Sequence, residues 1–213
     1  MSASEFVPER NTLPVLREAS RGCRGCDLYR RATQTVFGEG AAHAPVFFIG
    51  EQPGDEEDRQ GRPFVGPAGH LFDRALEEAG IDRREAYVTN AVKHFKFEER
   101  GKRRLHKKPS ALEIRACRPW LEAELAVVRP RLIVCLGATA AQSIFGPRYR
   151  LTQERGRFVP HDLAPLATST VHPSAILRAP DQDQRHAEYQ RFVEDLKSVK
   201  ARMGRSAAGG AAQ

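Results

Sequence analysis

Four short apolar runs, at residues 45–49 (PVFFI), 86–90 (AYVTN), 131–136 (RLIVCL) and 166–171 (LATSTV), alternate with stretches of helical periodicity. No other feature constrains the fold as much. Strands that alternate with helices pair in parallel and are covered on both faces by those helices. The reading is therefore an α/β chain, a three-layer α/β/α arrangement around a central four-stranded parallel sheet. The helical stretches carry their own punctuation. Ala68, Leu71, Phe72, Ala75, Leu76 and Ala79 share one helical face, and Gly80 stands where the chain must turn after a helix. Ser110 and Glu113 form an S-x-x-E capping box, and Pro119 is expected to kink or divide the helix that follows. A short helix over residues 138–145 ends at Gly146-Pro147, and a last one covers about residues 184–202.

Parallel sheets bind ligands beyond the carboxyl ends of their strands, and the chemically notable residues collect there. The first run delivers GEQPGDEEDRQGRPFVGPAG, residues 50–69, with carboxylates at Glu51, Asp55, Glu56, Glu57 and Asp58 and an aromatic at Phe64. Taken alone, the carboxylates read as a solvated acidic turn. A loop stiffened by Pro53, Pro63 and Pro67 at a strand end reads instead as a binding site. Asn90 closes the second run, Gly137-Ala138-Thr139 follows the third, and His172-Pro173-Ser174 follows the fourth.

The chain has 213 residues, enough for one core. It is read as one domain over residues 1–203, with a low-complexity tail, GRSAAGGAAQ, expected to be disordered. No apolar stretch reaches the roughly 18 residues of a membrane span, and MSASEFVPER has no apolar leader. A cytoplasmic, monomeric protein is expected. Formal charge is +7, which suits a polyanionic partner. The excess is local: residues 93–108, KHFKFEERGKRRLHKK, hold eight Lys/Arg against two Glu. The segment reads either as a disordered basic loop or, with Phe95 and Phe97 interleaved among lysines, as a nucleic-acid surface. Cys23-x-x-Cys26 is half of a site that zinc, redox or iron–sulfur chemistry can use. Cys135, inside an apolar run, reads as a buried structural thiol.

The strand-end loop, GE-x-PG-x-x-ED followed by GRPFVG-x-AG, resembles the first signature of the uracil-DNA glycosylase superfamily, in its iron–sulfur branch. The resemblance runs from Cys23 to about Arg178 and implies that family's fold. It implies that uracil stacks on Phe64, that the carboxamide of Asn90 reads the O4/N3 edge, and that His172 in the HPS triplet donates to the pyrimidine O2 as the base leaves. Ser174 and Arg178 would meet the DNA. It also implies a 4Fe–4S cluster, on Cys23, Cys26, Cys117 and, where the branch carries a third cysteine, His94.

Two departures point to a subgroup. Gln52 stands where ordinary members often carry Gly or Ala, and the KHFK stretch leads into KRRLHKK with His106 inside it. Both are similar to the UdgX-like subgroup, whose members excise uracil and then trap themselves on the DNA through that histidine. The implied catalytic set is His106, Glu51, Asp55 and His172. Gln52, Phe64, Asn90 and His172 would contact uracil, and Lys102, Arg103, Arg104, Lys107 and Lys108 would hold the phosphates of uracil-containing DNA, single strands included. The surrounding cations are expected to keep His106 unprotonated by like-charge repulsion. The alternatives are a conventional glycosylase that uses water over many turnovers, and a non-catalytic DNA-binding protein with a structural metal.

Overall fold

The computed structural model describes residues 2–10 and 12–205. In chain order the elements are α1 (Leu13–Ser20), β1 (Glu39–Gly40), β2 (Val46–Gly50), α2 (Asp55–Gln60), α3 (Pro67–Glu78), β3 (Ala86–Asn90), β4 (Phe97–Arg100), β5 (Arg103–His106), α4 (Ala111–Val128), β6 (Leu132–Leu136), α5 (Ala138–Phe145), α6 (Leu151–Glu154), β7 (Val159–His161), β8 (Ala164–Thr170), α7 (Pro173–Leu177) and α8 (Gln182–Arg205). The sheet runs β1-β3-β2-β6-β8-β7. Its four central strands are parallel, as the alternation required. The short edge strands β1 and β7 are antiparallel and went unread, because two or three residues carry too little periodicity.

β2, β3 and β6 are buried along their whole length. Side chains that alternate along a strand reach opposite faces of a sheet. Phe47, Ile49, Tyr87, Ile133 and Cys135 pack with α1, α4 and α5. Val46, Phe48, Val88, Leu132 and Val134 pack with α3, α7 and α8. Cys135 is fully buried, as its strand position indicated.

The helix signals mark real ends. Ser110 Oγ accepts from Glu113 N at 3.3 Å and Glu113 Oε2 accepts from Ser110 N at 2.6 Å. Past α3, Gly80 at φ 73° lets Ile81 N reach Leu76 O (2.9 Å) and its own N–H reach Glu77 O (3.0 Å), a left-handed C-terminal cap. Pro119 does not divide α4, which is continuous through it. The buried face formed by Cys117, Trp120, Leu121 and Leu125 keeps the helix together where local propensity opposes it. α8 outlasts its expected end and runs to Arg205; of the tail GRSAAGGAAQ, residues 206–213 lie outside those described.

The basic segment is neither a loop nor disordered. β4 and β5 pair antiparallel, from Phe97 opposite His106 to Arg100 opposite Arg103, and turn through Gly101 at φ 60°. The charges hid this hairpin from a reading based on apolar alternation.

Candidate active site

Four strand ends converge. Gly50 pairs in register with Asn90 at the carboxyl ends of β2 and β3. A Cβ on Gly50 would lie 2.3 Å from Asn90 Oδ1 and 2.9 Å from Phe64 Cζ, so only glycine permits this approach. Phe64 takes φ 58°, a costly conformation for an aromatic residue. It is held there from two sides. Gly69 leaves room for the Phe64 carbonyl, which a Cβ would meet at 1.8 Å. Glu57 accepts from Gly54 N and from Gly66 N, each at 3.0 Å, and so staples the acidic segment to the loop bearing Phe64. The Phe64 ring packs on Phe72 at 5.3 Å and faces the His172 ring at 6.1 Å.

His172 caps α7. Its Nδ1 accepts from Ser174 N at 3.1 Å and lies 2.8 Å from Ser174 Oγ. Burial, then the Arg178 charge and then His106, lower its pKa to about 4. At neutral pH the ring is uncharged, and because Nδ1 accepts, its proton sits on Nε2. The ring thus presents a fixed N–H donor. Ser174, expected to meet the DNA, orients this imidazole through its own side chain. Arg178 is exposed beside the site.

His106 ends β5, with Nε2 3.4 Å from Glu51 Oε1. The other Glu51 oxygen accepts from the Thr139 hydroxyl at the start of α5. Thr139 was not singled out from sequence; its place in the turn after the third strand was the available signal. The His106 side chain is half exposed; its pKa is lowered, first by partial loss of solvent beside the strand ends, with Arg178 adding to the effect and Glu51 opposing it. The expected cause, repulsion from Arg103, Arg104, Lys107 and Lys108, gives way to this desolvation and Arg178.

The acidic segment is not a solvated turn. Asp55–Gln60 is a helix with Glu57 and Asp58 buried, and its carboxylates sit at the N-terminal end the helix dipole favours. Asp58 accepts from Thr33 N (3.0 Å), Thr33 Oγ1 (2.6 Å) and Arg104 Nη1 (2.6 Å). Asp55 pairs with Arg59 at 3.0 Å and with Arg104. Arg104 also lies over the rings of Phe95 and Phe97, at 5.5 and 5.0 Å. Arg104 is thus engaged by two carboxylates and two rings inside the protein, and Asp55 ties the hairpin to α2. Gln52 is engaged as well. Its Nε2 donates to Lys96 O and Lys107 O, and its Oε1 accepts from Lys96 N, all at 3.1 Å. This carboxamide clamps the two ends of the hairpin together. Lys102, Arg103, Lys107 and Lys108 are exposed, with Lys107 paired to Glu98 at 2.6 Å.

Cys23, Cys26, His94 and Cys117 are all buried. Cys23 and Cys26 both act on the Cys117 thiol, whose pKa burial pushes up to about 12. Two N–H groups point at sulfur: Trp120 Nε1 donates to Cys23 Sγ and Lys93 N to Cys117 Sγ, each at 3.2 Å. Burial lowers the His94 pKa to about 4, and its buried Nδ1 has no hydrogen-bond partner. Among the described residues, no three or more His, Cys, Asp or Glu side chains are grouped tightly enough to hold a single metal ion.

An α/β sheet with its ligand crevice at the carboxyl edge thus carries an aromatic platform, a carboxamide, a fixed imidazole donor and a second imidazole on a hairpin. Residues 37–197 match the family model described as the uracil DNA glycosylase superfamily, and the chain belongs to that superfamily. It is 35% identical over 191 residues to the Type-4 uracil-DNA glycosylase of Thermotoga maritima, covering 89% of this chain and 93% of that one. The Type-4 uracil-DNA glycosylase of Sulfurisphaera tokodaii is 33% identical, covering 80% and 78%. That of Archaeoglobus fulgidus is 40% identical over 131 residues, covering 62% of each chain.

Proposed function

We propose that this chain is a uracil-DNA glycosylase that excises uracil and then bonds covalently to the abasic sugar through His106. One observation carries the second half: an imidazole of lowered pKa stands 3.4 Å from the Glu51 carboxylate, close enough to the pocket that its charge acts on His172.

The target base leaves the stack and lies on Phe64, where Asn90 offers a donor and an acceptor to the O4/N3 edge. The bond between C1′ and N1 breaks with its electron pair going to the pyrimidine. The Nε2–H of His172 donates to O2, where negative charge grows. The sugar retains positive charge opposite Glu51. A lone pair on the His106 ring then forms an N–C bond to C1′, and the resulting imidazolium gives up its remaining N–H proton to solvent or to Glu51. Uracil takes its proton from water. The N–C bond has a poor leaving group, so the protein acts once.

Cys23, Cys26, Cys117 and His94 would hold a 4Fe–4S cluster. The neighbouring thiols, the two N–H groups aimed at sulfur and the unpartnered His94 Nδ1 support the set, since mixed Cys/His ligation and N–H···S bonds suit such clusters. Bound, the cluster would tie α4 to the N-terminal segment. About four irons per chain in anaerobically purified protein is the expected content; zinc alone overturns the assignment.

Similarity to the Type-4 enzymes favours a second reading, in which water completes the same excision and the protein turns over. Incubation with a uracil-containing single-stranded oligonucleotide, split between a denaturing gel and an abasic-site cleavage assay, separates the two. Trapping predicts a denaturant-resistant band from the native protein, and free abasic DNA with no band from His106→Ser. Many turnovers with no band leave the conventional enzyme.

A further inference from the structure

A buried ion pair lies directly beneath the residue that would read the base. The side chains of Lys93 and Glu124 are both 0% exposed, with Nζ 2.5 Å from Oε2. Isolated buried charges are expensive, and even a well-paired set is often no more stable than an apolar replacement. What this one does with its bonds is specific. Lys93 Nζ also donates to Thr89 Oγ1 at 2.6 Å and to the main-chain oxygen of Asn90 at 2.8 Å. Glu124 accepts from Thr89 Oγ1 and from Tyr87 Oη, both at 3.0 Å, and from Gly38 N at 2.9 Å. The Lys93 main-chain N–H goes to Cys117 Sγ, and Cys117 and Glu124 lie seven residues apart, two turns along α4.

We infer that Lys93 and Glu124 are positioning residues that fix the Asn90 peptide, and with it the carboxamide edge offered to the base. The inference rests on the reading of Asn90 as the base-contacting residue. Gly50–Asn90 is the last register pair of β2 and β3, main-chain bonds from Ala91 N and Val92 N to Gly50 O and Glu51 O carry the contact just beyond it, and the Asn90 carbonyl accepts from the ammonium group. The pair thereby links the reading edge to α4, the helix that carries Cys117.

Removing one partner alone would leave a buried charge and cost about 3–5 kcal/mol, so single variants test folding rather than positioning. The test is Lys93→Met/Glu124→Gln. It keeps an acceptor for Gly38 and Tyr87, carries no charge and deletes the ammonium donor to the Asn90 carbonyl and to Thr89 Oγ1. Single-turnover rates are measured on uracil- and cytosine-containing single strands, with iron content, DNA binding and thermal unfolding as controls. The expected result is retained iron, binding and melting, with uracil excision down about tenfold or more and the uracil-to-cytosine rate ratio reduced by the same factor. An unchanged ratio in a folded double variant overturns the inference. So does a rate loss that follows lost iron or a collapsed melting curve, which would make the pair merely structural. Asn90→Ala supplies the separate check: if that variant excises uracil normally, the reading of Asn90 fails, whatever the pair does.

Discussion

The carboxyl edge of the sheet and the β4–β5 hairpin supply the two halves of this site and are held by opposite means. Gly50 and Asn90 are placed by parallel ladders between fully buried strands, and His172 is held at the start of α7 by its bonds to Ser174. The hairpin carries His106 and meets the body through side chains, chiefly the Gln52 carboxamide and the Arg104 guanidinium on Asp55 and Asp58. A main-chain frame keeps its gross geometry while the fold lasts, and the Lys93–Glu124 pair is inferred to set only the Asn90 peptide within it. A clamp of a few side-chain bonds can be released by one substitution while the fold stays. Bond breaking and covalent capture should therefore be separable by mutation.

The largest effect is expected at the sheet edge. His172→Ala removes the donor to the leaving pyrimidine, and loss of such a donor costs about 10²–10³ in rate. Because capture follows departure of the base, adduct formation should fall by the same factor. Single-turnover release of uracil and band formation on a denaturing gel, followed in one time course, measure both. Adduct formation at the normal rate in this variant would break the order of events.

Gln52→Ala probes the other half. Three hydrogen bonds at about 1 kcal/mol each hold the base of the hairpin, so the docked state should be disfavoured by roughly 100-fold and capture slowed accordingly. Uracil release should stay within a few-fold of normal, and abasic DNA should appear free. Equal loss of both activities would mean that Gln52 serves the pocket as well as the hairpin.

How much could be read from sequence divides along the same line. The sheet, the convergence of its strand ends, and the capping of α3 and α4 were legible, because apolar period, Ser110, Glu113 and Gly80 report local physics. The hairpin was not. Its strands are short and charged, and its stability comes from residues distant in sequence, Gln52, Asp55 and Asp58. The same distance hid the intramolecular partners of Arg104 and Gln52. The Lys93–Glu124 pair spans 31 positions and carries no motif at all.

The smallest effect is the dependence of capture on pH, and it sharpens the comparison most. In the proposed capture step the unprotonated ring of His106 is the nucleophile, and lowering a histidine pKa enlarges the unprotonated fraction at any given pH. Partial desolvation and the Arg178 charge both act in that direction here. Capture should therefore be at its plateau at pH 7 and fall only in acid, with a midpoint below the ordinary histidine value of about 6.5. Arg178→Gln removes one lowering charge, so the midpoint should move up; the loss of capture rate at pH 7 should stay below about twofold and grow as the pH falls toward 6. Excision should behave differently, since His172, at about 4, keeps its Nε2–H donor at all these pH values. Stability drifts the same way in both proteins: the unfolded chain takes up protons first as pH drops from about 6.5 toward 4, so the folded state weakens on acidification. Rates are thus compared above pH 5 with folding monitored by circular dichroism. A capture rate that rises in acid, or excision and capture declining on one curve, would show that a single group governs both steps and that the division between sheet edge and hairpin is not functional.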